Sequence, residues 1–227
     1  ETHLEDAIAL NVIDAKATYN DLQHADMVIL SIPVDAAVRE LPKVLDLISD
    51  TTLVIDVGST KKPVCEAVEH HSRRRNFLAT HPIAGTEFSG PKAAIHDLYK
   101  HKTNIICEVE KTTFKLQEKA LQLFSDLGMR IRYMNPEAHD KHIAYVSHLS
   151  HISSFMLGKT VIEKEKNERD IFDMAGSGFA STVRLAKSSP DMWTPIFKDM
   201  MKSDDFETIY NEMKNTNHIK DILEGIA

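Results

Sequence analysis

Thr52-Leu-Val-Ile-Asp-Val-Gly-Ser-Thr60 is a short continuous apolar run that passes at once into a glycine turn and then into a helical pattern over Lys61 to His71. A run of this kind is expected of a strand buried on both faces, as in a parallel sheet covered by helices. Its upstream neighbour has the same form. Asp26-Met-Val-Ile-Leu-Ser-Ile-Pro33 is apolar and ends on proline, after which Ala37, Leu41, Val44, Leu45 and Ile48 recur at helical spacing. Pro42 falls inside that pattern and is expected to start a second helical piece. Downstream, Phe77 to Thr80, Thr103 to Val109 and Met129 to Met134 read as three more strands, with a helix over Thr113 to Leu127 between the last two. Strand, helix and strand repeated in this way predict an α/β chain with a mostly parallel sheet, whose ligands lie beyond the carboxyl ends of the strands.

After Asn135-Pro136 no good strand follows, and helical patterns take over, including Ala138 to Glu165 and Phe206 to Leu223. A domain boundary is therefore expected near 135, dividing residues 1–134 from an all-helical unit at 135–227. The charge run Glu163 to Asp170 reads as a solvated helix end. Hydrophobic residues make up 42% of the 227 and charged residues 27%, which excludes wholesale disorder. A net charge of −7 leaves no general pull toward nucleic acid or an anionic membrane. The longest apolar stretch, Met27 to Val34, falls far short of the roughly 20 residues that span a bilayer, so a soluble protein is expected. Cys65 and Cys107 form no disulfide framework, and a reducing cytoplasm is the expected compartment.

Four segments carry candidate chemistry. In Thr80-His-Pro-Ile-Ala-Gly-Thr-Glu-Phe-Ser-Gly90, His81 stands at a strand's carboxyl end, where an imidazole with an ordinary pKa near 6.5 is suited to accept a proton. A turn histidine closing the strand is the bland alternative. In Asp56-Val-Gly-Ser-Thr60, Gly58 permits a tight turn, and Ser59 and Thr60 are placed to cap the next helix. If the two strand ends are neighbours, Ser59 and His81 face one crevice.

The third segment holds His139, His142, His148 and His151. On a straight helix at about 100° per residue the first two point away from the last two, so the four cannot share a metal. One pair is expected to face a site and the other solvent or a neighbour, with no metal bound. The fourth, Gly176 to Trp193, places Arg184 on a short helix, where its planar fork suits a carboxylate ligand or simply the surface.

Together ADMVILSIPV (25–34), DVGSTK (56–61), HPIAGTEFSG (81–90), the H-x8-H-x2-H set of His139, His148 and His151, and GSGFASTVRLAKSSPDMW (176–193) resemble the prephenate dehydrogenase family over about the first 200 residues. HPIAGTEFSG is the most specific of these. The resemblance implies a truncated Rossmann-like domain followed by a helical dimerisation domain. The implied reaction is the oxidative decarboxylation of prephenate to 4-hydroxyphenylpyruvate, with hydride passing to NAD, or to NADP as the alternative, in tyrosine biosynthesis.

By the same resemblance, His81 and Ser59 are the catalytic pair. Arg184 holds a substrate carboxylate, with His151 near the side-chain end and His148 in the pocket. Thr86 and Glu87 shape the entrance, and Trp193 lines or closes the site, with a dimer interface as one place for it. Ser31, Ile32 and Pro33 border the cofactor, and Gly58 lies under the nicotinamide end. A homodimer through the helical domain is implied.

Two departures stand out. The sequence contains no G-x-G-x-x-G, so roughly 30 residues of the cofactor cradle have no counterpart here, and the chain by itself is expected to bind NAD weakly or not at all. Ser177 stands where glycine is expected, and Lys198 to Asp205 leaves the family pattern. The rivals are arogenate dehydrogenase, whose substrate carries an amino group in place of the keto group, and a non-catalytic aromatic-acid-binding or dimerisation module without cofactor.

Overall fold

A computed structural model describes residues 2–86, 88, 90–166 and 170–201. The apolar runs form five short strands: β1 (Met27–Leu30), β2 (Leu53–Asp56), β3 (Phe77–Pro82), β4 (Thr103–Cys107) and β5 (Arg130–Met134). They lie side by side in sequence order in one sheet. Three of the four pairings are parallel, and β3 with β4 is antiparallel. The sheet is thus mostly parallel, as expected. The exception is invisible in sequence, because an apolar run reads alike in either direction. Strand β4 ends at Cys107 instead of Val109 because Glu108 takes a left-handed conformation (φ 50°), its carboxylate held by Arg74 and Lys111.

Helices α1 (Thr2–Ala9), α2 (Val34–Leu47), α3 (Lys62–Glu66) and α4 (Phe114–Asp126) accompany the sheet. Helix α2 buries Leu41, Val44, Leu45 and Ile48 against Val54, Val64, Phe77 and Ala79. It runs unbroken through Pro42, contrary to the expected second helical piece. An interior proline costs about 3 kcal/mol, whereas burying a Leu or Val contributes about 1.5–3 kcal/mol each, so the flanking core residues outweigh it. Helix α4 covers the opposite face, with Leu116, Ala120 and Phe124 on Leu53, Ile55, Leu78 and Ile106. Helix α3 stops at Glu66, short of His71. The chain tightens there into bonds from Val68 N to Cys65 O and from His71 N to Val68 O, which keep Val68 buried.

From Pro136 no strand occurs among the described residues, and most of them are helical. Asn135 caps α5 (Pro136–Ile143) by accepting from Ala138 N at 2.7 Å, with Pro136 in the first turn. A π-helical turn, Ala144–His148, leads directly into α6 (Leu149–Glu165). Helices α7 (Ser177–Val183) and α8 (Pro190–Met200) follow. Trp193 and Ile196 of α8 pack on Val34 at the start of α2, so the helical part sits beside the carboxyl end of β1. No helix among the described residues is long and apolar enough to cross a membrane. The expected helix at 206–223 and the end of the 198–205 stretch lie outside the described residues.

Candidate active site

Leu30, Asp56 and Ala79 are aligned across β1, β2 and β3, so Ser31–Pro33, Gly58–Ser59 and His81 emerge together at one edge of the sheet. Beneath them lies a fully buried ion pair, in which Lys61 Nζ donates to the Asp56 carboxylate and to the Thr80 carbonyl at 2.7 Å. Removing one partner of such a pair costs about 3–5 kcal/mol, because the other charge is left uncompensated. Gly58 is closely packed here. A Cβ there would lie 3.1 Å from Asp56 Oδ2 and 3.2 Å from Val34 Cγ1.

Neither Ser59 nor Thr60 caps α3. The cap comes from α5, where Asp140 Oδ1 accepts from Lys61 N at 2.7 Å and Asp140 Oδ2 from Lys62 N at 2.8 Å. The same Oδ1 lies 2.7 Å from His139 Nδ1, and His139 Nε2 lies 2.9 Å from His81 Nδ1. A carboxylate, a fully buried imidazole and the strand-end imidazole therefore form one chain of hydrogen bonds. Burial, followed by the charges of Lys61, His139 and His148, holds the His81 pKa well below its ordinary value.

His148 and His151 meet Trp193. The His151 ring stacks on the indole with centroids 3.5 Å apart, and His148 meets it edge-on at 5.8 Å. His151 Nδ1 donates to the Ser147 carbonyl at 3.0 Å. Burial lowers its pKa, and the nearby Arg184 charge lowers it further, which places Arg184 at this end of the site. Burial drives the His148 pKa down to about 4. Both His148 nitrogens, Trp193 Nε1 and Ser154 Oγ are buried without a hydrogen-bond partner, an unmet polar demand of the kind a bound ligand answers.

The histidines do not divide into the two pairs expected from a straight helix. His139 and His148, one from each pair, are buried, His151 is half-buried and His142 is exposed. The π turn is the reason. Leu149 N bonds to Ala144 O, adding one residue to the turn. This winds the phase back by about 100°, so His148 comes round toward the face that carries His139.

Among the expected site residues, the structure thus gathers His81, His148, His151, Trp193 and Arg184 within one region, with Gly58 and half-buried Ser59 at the neighbouring strand end. Ser31, Ile32 and Pro33 are exposed at the end of β1, and Thr86 is exposed on the loop after β3. Glu87 lies outside the described residues. Trp193 is buried within its own chain, so no dimer interface is needed to place it. Cys65 and Cys107 are buried, with the Cys107 thiol pushed up to about 12 by burial, as expected of inert thiols. Sequence reasoning gave no role to His139, Lys61 or Asp140. His139 was detectable through its spacing to His148 and His151, whereas nothing in the sequence ties Asp140 to a helix start 79 residues earlier.

The family model described as prephenate dehydrogenase, nucleotide-binding domain, matches residues 1–133, and that described as prephenate dehydrogenase, dimerization domain, matches residues 135–224. The chain is 30% identical over 194 residues to the prephenate dehydrogenase of Bacillus subtilis, covering 84% of this chain and 52% of that protein. It is 28% identical over 176 residues to the cyclohexadienyl dehydrogenase of Zymomonas mobilis, covering 77% of this chain and 60% of that protein. It therefore spans less than two thirds of either relative. The solved prephenate dehydrogenase from A. aeolicus, in complex with hydroxyphenyl propionate and NAD+, superposes with a TM-score of 0.80 at 32% identity, over 97% of this chain and 77% of that one.

Proposed function

The chain belongs to the prephenate dehydrogenase family, and from that premise we propose that it oxidatively decarboxylates prephenate to 4-hydroxyphenylpyruvate, with hydride passing to NAD+, in the cytoplasm. The observation that carries this reading is the convergence of a strand-end base, His81, with the Trp193, His148, His151 and Arg184 group at the carboxyl edge of the sheet. His81 takes the proton of the ring hydroxyl, and Ser59, on the next turn, orients that hydroxyl. Arg184 holds a carboxylate of the substrate, His151 meets the side-chain end, and Trp193 with His148 forms the wall. Thr86, exposed on the loop after β3, flanks the entrance. Loss of the ring carboxylate as CO2 is driven by aromatisation.

The cofactor fits in part. Exposed Ser31–Pro33 and the close-packed Gly58 turn offer a surface for the nicotinamide end beside His81, and NAD+ bound there supplies the hydride acceptor. The pyrophosphate has no glycine turn to rest on, because the sequence contains no G-x-G-x-x-G, so this chain alone holds the cofactor weakly. A domain boundary near 135 separates the cofactor-binding part from a helical part that pairs with a second copy. The exposed apolar side chains of Met156 and Ile162 suit such pairing.

The test is turnover of prephenate and of arogenate with NAD+ and NADP+, by the chain together with any natural residues that precede Glu1. Formation of CO2 and 4-hydroxyphenylpyruvate is expected, and His81→Asn is expected to lower kcat by about 10²–10⁴-fold while prephenate still binds. Tight prephenate binding with no turnover would favour the non-catalytic binding module.

A further inference from the structure

We infer that His139 and Asp140 are positioning residues that fix His81 as the Nδ1–H tautomer, and that His139 takes the Nδ1 proton as His81 gains one from the substrate. The inference rests on the proposed dehydrogenase reaction for its kinetic consequence, but its geometry stands independently. Asp140 accepts a backbone N–H on each oxygen, from Lys61 and from Lys62, and as a carboxylate it has no proton to give His139. His139 Nδ1 must then carry the proton of the 2.7 Å bond. In the neutral ring this leaves a lone pair on His139 Nε2, and the proton of the 2.9 Å contact belongs to His81 Nδ1. His81 Nε2, on the opposite edge of its ring, makes no hydrogen bond with any described residue and keeps its lone pair for the substrate.

This arrangement answers a difficulty in the site. The charged and titratable groups facing His81 are Lys61 from the turn before α3 with its partner Asp56 on β2, His139 and Asp140 from α5, and His148 from the π turn. Burial and the Lys61 charge both resist an imidazolium at His81. The chain of bonds moves that charge elsewhere. The substrate O–H breaks and His81 Nε2–H forms, while His81 Nδ1–H breaks and His139 Nε2–H forms. His81 ends neutral as the Nε2–H tautomer, and the positive charge lies on His139, against the Asp140 carboxylate. The electron pair leaves separately as hydride to the nicotinamide of the proposed reaction. Because Asp140 also caps α3, the group that sets the tautomer ties the helical part to the strand ends that present His81.

The experiment combines nitrogen-15 NMR of the histidine rings, with His81 assigned through His81→Asn, and the pH profile of kcat for Asp140→Asn and His139→Gln. The protein used is the chain with any natural residues preceding Glu1. In the unsubstituted protein His81 is expected as the Nδ1–H tautomer. An amide at 140 carries no negative charge to hold a protonated His139, and in either orientation its NH2 opposes a backbone N–H, of Lys61 or of Lys62. Asp140→Asn should therefore weaken the Nδ1–H preference of His81 and lower kcat by about 10²–10⁴-fold, with KM for prephenate within about threefold.

His139→Gln leaves the α3 cap intact. Its carbonyl still accepts from His81 but cannot take a proton, so the tautomer should persist while kcat falls by about 10²-fold or more and the acid limb of the profile moves. An Nε2–H tautomer in the unsubstituted protein would overturn the inference, as would a folded His139→Gln protein with kcat within about threefold of the unsubstituted one. If no prephenate turnover is found at all, the dehydrogenase reading fails while the tautomer measurement still decides the hydrogen-bond assignment.

Discussion

His148 is buried beside Trp193 with neither ring nitrogen hydrogen-bonded, and its pKa of about 4 in the folded state lies below the ordinary value of 6.5. The unfolded chain therefore binds the proton first as pH falls. Stability contributed by neutral His148 is fully present above about pH 6.5 and is lost toward pH 4, up to about 3 kcal/mol in all. His81 and His151, also lowered, act in the same direction. Urea unfolding at pH 7 and pH 4.5 measures this, and His148→Phe should lose about 2 kcal/mol less stability over that interval. Parallel losses in both proteins would contradict the burial argument. At this scale the sequence was informative where residue type and strand end coincide, as at His81, and silent where a partner comes from far along the chain. Asp140 and Lys61 are ordinary charged residues until folding buries or shares their contacts.

The π turn at Ala144–His148 is the element on which the site's geometry depends. Reading 138–165 as one uniform helix gave its extent but misdirected its histidines. Nothing in Ala-Tyr-Val-Ser-His signals an extra residue, since it holds no glycine or proline to mark the irregularity. Deleting Val146, which is 74% exposed, should restore α-helical phase and swing His148 and His151 by about 100° relative to His139. Far-ultraviolet circular dichroism should keep its helical signal while kcat/KM for prephenate falls by about 10²-fold or more. Val146→Ala, which keeps the register, should stay near the unsubstituted value. Equal loss in both variants would point to the side chain rather than to the phase. The strands, in contrast, were placed by the sequence, although β1 is a part-exposed edge strand and not buried on both faces, and β5 is Arg-Ile-Arg-Tyr-Met. Their residue pattern could not show the reversed direction of β4, nor that Glu108 would end it.

The proposed chemistry lies where residues before 135 meet the helices that follow. His81 to His139, Lys61 and Lys62 to Asp140, and Val34 to Trp193 all link the two stretches of chain, so the proposed substrate end draws on both. At the proposed cofactor end, Ser31–Pro33 are exposed beside β1, which is an edge strand among the described residues and carries a 51% exposed Ile29. The most direct test of the account is calorimetric binding of NAD+, with and without prephenate, to this chain and to one carrying any natural residues that precede Glu1. The account predicts weak binding to the chain alone, and tighter binding with prephenate turnover in the longer form. Failure of both forms to bind any nicotinamide cofactor, while prephenate still binds, would contradict it.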